Sequence, residues 1–194
     1  LSAPAASASD PTIEELLLLV DDLMRGDSIR GRMTMNVKTA RFERSLSMSM
    51  VSKGTDRFLL RILSPKKEAG TATLKVGPEI WNYLPKVDRT IKLPASMMGG
   101  SWMGSHFSND DVVQDSRYSE DFDCEFIERP ADGKENWLIN CVPDEDAVLV
   151  WGAVRLSIGP DLTPEEVQFF GEDGELGRTM IFSNYGDLGG RFLP

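Results

Sequence analysis

Residues that usually carry chemistry are scarce in this chain. Its 194 residues include 1 histidine and 2 cysteines, too few for a zinc set. The acidic pairs at Asp110-Asp111 and from Asp144 to Asp146 read as solvated turns or caps. No metal or cofactor is therefore expected. Ser101, Ser105, His106, Asp110 and Asp111 lie close in sequence, but a nucleophile, base and orienting acid are normally brought together from distant parts of a fold. With no G-x-S-x-G elbow either, an esterase is the weakest functional hypothesis and no enzyme is expected. Gly99, Gly100 and Gly104 lack the GK[ST] and the strand-loop-helix context of a phosphate loop. No apolar run approaches the roughly 20 residues of a membrane-spanning helix, so dealings with lipid are expected from solution. No run of Lys and Arg interrupts the formal charge of -10, which disfavours nucleic acid and anionic membrane surfaces as partners.

What is present is strand pattern. Met33, Met35 and Val37 alternate with Arg32, Thr34, Asn36 and Lys38, and Leu46, Met48 and Met50 alternate with Ser45, Ser47 and Ser49. Phe58, Leu60 and Ile62 continue the pattern, followed by Ala72, Leu74 and Val76, then Trp81 and Tyr83. This period of two describes antiparallel strands, consecutively paired and wet on one face. Choosing one parity on each strand gives a candidate apolar cavity lined by Met33, Met35, Met48, Met50, Phe58, Leu60, Leu74, Trp81 and Tyr83, with Leu46, Ile62 and Val76 at its edges. Methionine's flexible thioether suits a wall that adapts to a variable apolar partner; a methionine-rich packed core is the alternative.

Two segments are candidates to cover that face. Asp10, Pro11, Glu14 and Glu15 mark a helix start, with Thr12 and Glu15 as an alternative capping box. Ile13, Leu16, Leu17, Val20, Leu23 and Met24 follow at helical spacing, and Gly26 ends the run. Leu16, Leu17 and Val20 would be the helix's contribution to a lid. After Pro94 alternation stops, yet Met97, Met98, Trp102, Met103 and Phe107 arrive among glycines and serines. Such a loop has to rest on something apolar, and Trp102, Met103 and Phe107 are expected to cap the cavity.

The second half adds strands around Phe122 to Phe126, Trp137 to Cys141, Val148 to Ile158, Val167 to Phe169 and Met180 to Tyr185. Thr163 to Glu166 reads as a turn. A two-residue turn at Asp132-Gly133 would set Cys124 directly opposite Cys141 at a non-hydrogen-bonded pair, where a disulfide fits. No fixed repeat and no linker divides the chain, so residues 10–194 are expected to form a single domain. Residues 1–9, with the small-x-small sequence Ala6-Ser7-Ala8, read as the remnant of a signal peptide or a disordered N-terminus.

The run WNYLPKVDRTIKLP with GGSWMGSHFSNDD, preceded by RILSPKKEAGTATLKVG and closed by FSNYGDLGGRFLP, resembles the outer-membrane lipoprotein-sorting protein family, relatives of the periplasmic carrier LolA. His106 stands where that family's pattern has an acidic residue. The resemblance implies a mainly β fold with an α lid (α+β), a strongly curved, incomplete antiparallel barrel whose concave apolar face holds acyl chains. It also implies periplasmic location, further strands beyond Pro194, and an inner-membrane transporter and an outer-membrane acceptor as partners. From another functional class, an envelope sensor would use the same cavity to recognise lipid and regulate a protein partner.

Overall fold

The computed structural model describes residues 10–25, 28–54, 56–113, 117–145 and 151–194. The signal-peptide remnant, the Gly26 helix stop and the strand residue Val148 lie outside them. The chain divides into two compact units, one made of residues 24–116 and the other of residues 1–23 with 117–194. Both are mainly antiparallel sheet, and neither sheet runs on into a closed barrel.

The first unit is a six-stranded meander in which every strand pairs with its neighbour in sequence. Its members are β1 (Ser28–Lys38), β2 (Glu43–Lys53), β3 (Arg57–Ser64), β4 (Ala72–Val76), β5 (Glu79–Leu84) and β6 (Arg89–Leu93). Met33 faces Met48 and Met35 faces Leu46 across β1 and β2, while Met50 faces Leu60 across β2 and β3. The four strand methionines therefore share one face, as the alternation requires. On that face Leu46, Met48, Phe58, Leu60, Ile62 and Ile80 form a buried cluster with Trp102 and Val113 from the following loop. Leu46 and Ile62 are central to it rather than at its edge.

The second unit opens with α1 (Ile13–Arg25). Its start is the capping box: the Thr12 N–H donates to the Glu15 carboxylate at 2.8 Å, and the Glu15 N–H donates to the Thr12 hydroxyl at 3.2 Å. Five strands follow, β7 (Phe122–Glu128), β8 (Trp137–Pro143), β9 (Ala153–Ile158), β10 (Pro164–Phe170) and β11 (Leu176–Ile181), again paired in sequence order. A two-stranded ribbon of β12 (Gly186–Asp187) and β13 (Phe192–Leu193) comes last. The stretch expected to be a turn at Thr163 to Glu166 instead starts β10 at Pro164. Pro164 cannot donate to a ladder, but a strand's first position does not ask it to.

Leu16, Leu17 and Val20 pack with Ile139, Leu156, Ile158 and Val167, so α1 covers one face of the five-stranded sheet. The helix is also tied by a buried carboxylate. Asp21 accepts the N–H groups of Tyr118 at 3.1 Å and Ser119 at 3.0 Å, and the Ser119 hydroxyl at 2.7 Å, at the start of α3 (Tyr118–Asp121). Asp21→Ala would strand those amides in a protein interior, and a loss of about 3 kcal/mol is expected in urea unfolding. Asp21→Asn, which keeps an acceptor, should recover much of it.

Cys124 faces Cys141 and the two are disulfide-bonded, their Cα atoms 4.1 Å apart. The connection that brings them together differs from a two-residue turn. Pro130–Asp132 form a 3-10 turn ending at left-handed Gly133, and Glu128 pairs with Leu138, leaving an odd number of residues in the loop. A bulge between Phe126 and Glu128 absorbs the extra residue and restores the cysteines' alignment.

Candidate functional site

The apolar face of the six-stranded sheet is the chain's strongest candidate for binding. The loop after β6 folds onto it through its own polar framework. Trp102 donates its N–H to the Phe107 carbonyl at 2.7 Å, and Ser101 and Ser108 form a single antiparallel bridge. Ser108 then caps α2 (Asn109–Val113): Asp111 accepts its N–H at 2.7 Å and its hydroxyl at 2.8 Å, while the Asp111 N–H donates to the Ser108 hydroxyl at 3.0 Å. Met103 takes a left-handed φ of 51° within this bend. These ties let Trp102 reach 5% exposure and donate its indole N–H to the Thr73 hydroxyl at 3.4 Å.

The serines sketched as nucleophiles hold the loop together. Ser101 donates its hydroxyl to the Ser105 carbonyl at 2.6 Å, and Ser105 donates its own to the Trp102 carbonyl at 2.7 Å. Among the described residues no group of three or more His, Cys, Asp and Glu side chains is gathered as for a metal ion.

The expected lining residues divide. Met48, Phe58 and Leu60 are buried in the cluster, with Met35 and Met50 partly buried against it. Met33 belongs to the same face but is 42% exposed. Met33, on β1, is thus left open beside a packed centre. Leu74, Trp81 and Tyr83 are on the opposite face, which corrects their place in the cavity. Leu60 faces Thr73 and Phe58 faces Lys75, and these in turn face Asn82 and Ile80. The inner parity on β4 and β5 is therefore Thr73, Lys75, Ile80 and Asn82.

Both parities of β5 are apolar, so hydrophobicity could not choose between them. What fixes the choice is the connection between β3 and β4, where Ile62 donates its N–H to the Thr71 carbonyl and accepts that of Gly70, both at 2.9 Å. The inward polar groups are accommodated: Thr73 donates to the Asn82 side-chain oxygen at 2.8 Å while accepting from Trp102. Lys75 is 4% exposed between Phe58 and Ile80, a basic residue beside Thr73 and Asn82 on the inner face that strand alternation alone did not reveal.

Of the side chains expected in the lid, Trp102 is buried on this face, Met103 packs against its cluster and Phe107 is half-buried in the loop. Leu16, Leu17 and Val20 belong to the core of the other sheet.

The five-stranded sheet has a groove of about 700 Å³ on the face away from α1, its lining including Arg155, Ser157, Asp161, Glu165, Glu166 and Tyr185. Its walls mix charged and polar side chains with Leu138, Ile181 and Phe182, so an acyl chain laid there would meet carboxylates as well as apolar surface. Tyr185 donates its hydroxyl to the Pro164 carbonyl. Burial, and then the nearby Asp161 and Glu165 carboxylates, push its pKa up to about 12. The unfolded chain releases this proton near pH 10. The tyrosine's contribution is therefore fully present below about pH 10 and is lost as pH rises through about 12. Urea midpoints should fall across that window, and Tyr185→Phe should remove this share of the slope.

The fold is shared with solved structures of LolA-like proteins. A LolA superfamily protein from Nitrosomonas europaea superposes with a TM-score of 0.76 at 20% identity, covering 95% of this chain and 83% of its own. A putative outer membrane lipoprotein-sorting protein domain from Vibrio parahaemolyticus gives 0.76 at 20% identity, covering 91% and 80%. A DUF1329 family protein from Desulfovibrio piger gives 0.82 at 18% identity, covering 93% and 81%. No curated protein matches the chain at a significant level. A family model described as "Uncharacterized protein" matches residues 54–194, and the chain belongs to that family.

Proposed function

We propose that this protein is a periplasmic carrier that holds the acyl chains of a lipid or lipoprotein on the methionine-bearing face of its six-stranded sheet and moves them toward the outer membrane. The observation that carries this reading is the methionine-bearing wall, Met33 exposed and Met35 and Met50 partly buried, beside the buried cluster that includes Trp102. Each methylene leaving a bilayer forgoes about 0.8 kcal/mol, so a sixteen-carbon chain needs a dry surface contributing on the order of 12 kcal/mol of gross burial. Unbranched methionines can fit such chains without a fixed shape, and a loop anchored at its two ends can move to admit and release them. No bond has to be broken, so the function needs no catalytic group. An inner-membrane transporter as donor and an outer-membrane acceptor would complete the route.

Two further features support the reading. The Cys124–Cys141 disulfide suits an oxidising compartment. The fold is shared with proteins named for LolA and for lipoprotein sorting.

Protein loaded with a fluorescent phospholipid and mixed with acceptor vesicles tests the transfer step. A carrier passes the label on. Retention of all the label under every acceptor composition would contradict carriage and favour a lipid-responsive sensor.

A further inference from the structure

The formal charge of -10 is an average over two very different units. Residues 24–116 hold 15 lysines and arginines against 9 aspartates and glutamates, a net +6, while the rest of the chain holds 6 against 22, a net -16. Within the basic unit, the face of the sheet opposite the methionines carries a continuous row across all six strands. Arg30 faces Val51, Val51 faces Leu59, Leu59 faces Leu74, Leu74 faces Trp81 and Trp81 faces Lys92. At the usual strand spacing this row spans about 24 Å. Its aliphatic members are held half in water: Val51 is 39%, Leu59 41% and Leu74 39% exposed. Lys92 lies over the Trp81 ring at 5.6 Å and pairs with Glu79. Arg32, Arg57 and Arg61 stand exposed in the adjoining rows with Tyr83, whose hydroxyl donates to Asp88 at 3.0 Å.

We infer that this face docks the protein onto an anionic phospholipid surface. Three properties select that occupant. The cations outnumber the acids on the face and ring a shallow apolar row, which suits a layer of phosphates above hydrocarbon. Trp81 and Tyr83 are the two residue types whose amphipathic rings settle at the headgroup level. The apolar side chains form a broad strip across a sheet, a shape that meets a bilayer surface without a matching knob. This role is separate from the acyl-chain face: it brings the protein to a membrane, whatever the opposite face holds.

Sedimentation with vesicles of mixed phosphatidylglycerol and phosphatidylcholine, against phosphatidylcholine alone, tests the inference. Intact protein should sediment with the anionic vesicles only, and release as salt rises. Since a cation near such a surface contributes about 1 kcal/mol, the exposed pair Arg57→Gln and Arg61→Gln together should weaken partitioning on the order of thirtyfold. Trp81→Ala should also weaken it. Both variants should keep the wild-type circular dichroism spectrum and any retained lipid. Equal sedimentation with phosphatidylcholine, no sedimentation with either, or wild-type affinity in the double arginine variant would each overturn the inference. So would vesicle binding that is lost in Met50→Asp but kept in the arginine variant, since the opposite face would then make the contact.

Discussion

Met50→Asp should abolish retention of co-purifying lipid while leaving the sheet folded. Met50 is partly buried, faces Leu60 across β2 and β3, and packs against the cluster from the methionine-bearing wall. A carboxylate there must either stay hydrated, which lets water onto the wall, or neutralise at a cost of several kcal/mol, so affinity should fall at least a hundredfold. Ser47→Asp, on the opposite parity of the same strand, should retain lipid as the wild type does. Leu60→Asp is not an equivalent test, because Leu60 is fully enclosed in the cluster and a charge there unfolds the sheet. The readout is lipid extracted per mole of protein, with circular dichroism to establish folding. Equal losses in Met50→Asp and Ser47→Asp, both folded, would contradict the face assignment.

Breaking the Cys124–Cys141 bond should have a large effect on stability. The bond closes a loop of 17 residues, and the chain-entropy account gives about 3 kcal/mol for such a loop. Cys124→Ala with Cys141→Ala should lower urea-unfolding stability by that amount. Reductant should do the same to the wild type and nothing to the double variant. Thiol titration of denatured, unreduced protein should find no reactive groups; finding two per chain would remove the bond and one support for an oxidising compartment.

Much of this organisation is legible in the residues themselves. Thr12 and Glu15 announce the start of α1, and the alternation from Met33 to Ile62 places four methionines on one face before any coordinates are known. The cysteine register is right although the turn between them is not: local dipeptide chemistry at Asp132-Gly133 does not disclose the bulge after Phe126 that offsets the longer loop. Similarly, Leu74, Trp81 and Tyr83 could not be placed from alternation, because β4 and β5 carry large apolar residues outward and Thr73, Lys75 and Asn82 inward. Only the hydrogen bonds at the β3 to β4 connection decide that parity. Total charge was equally uninformative, since -10 conceals a basic unit and a strongly acidic one.

The helix illustrates a different limit. Periodicity shows that Leu16, Leu17 and Val20 must be covered, but it cannot say by which strands. They are covered by Ile139, Leu156 and Val167, more than a hundred residues away in sequence. Trp102, by contrast, rests on strands that precede it closely, and the apolar residues after Pro94 were sufficient to indicate that this loop is not a plain surface connection.

The carrier account is tested most directly by mass spectrometry of the organic extract from protein purified without detergent. It requires a long-chain acyl lipid bound in stoichiometric amount to the wild type and absent from Met50→Asp. An extract free of acyl lipid, from folded protein that also fails to take up lipid from vesicles, would contradict it.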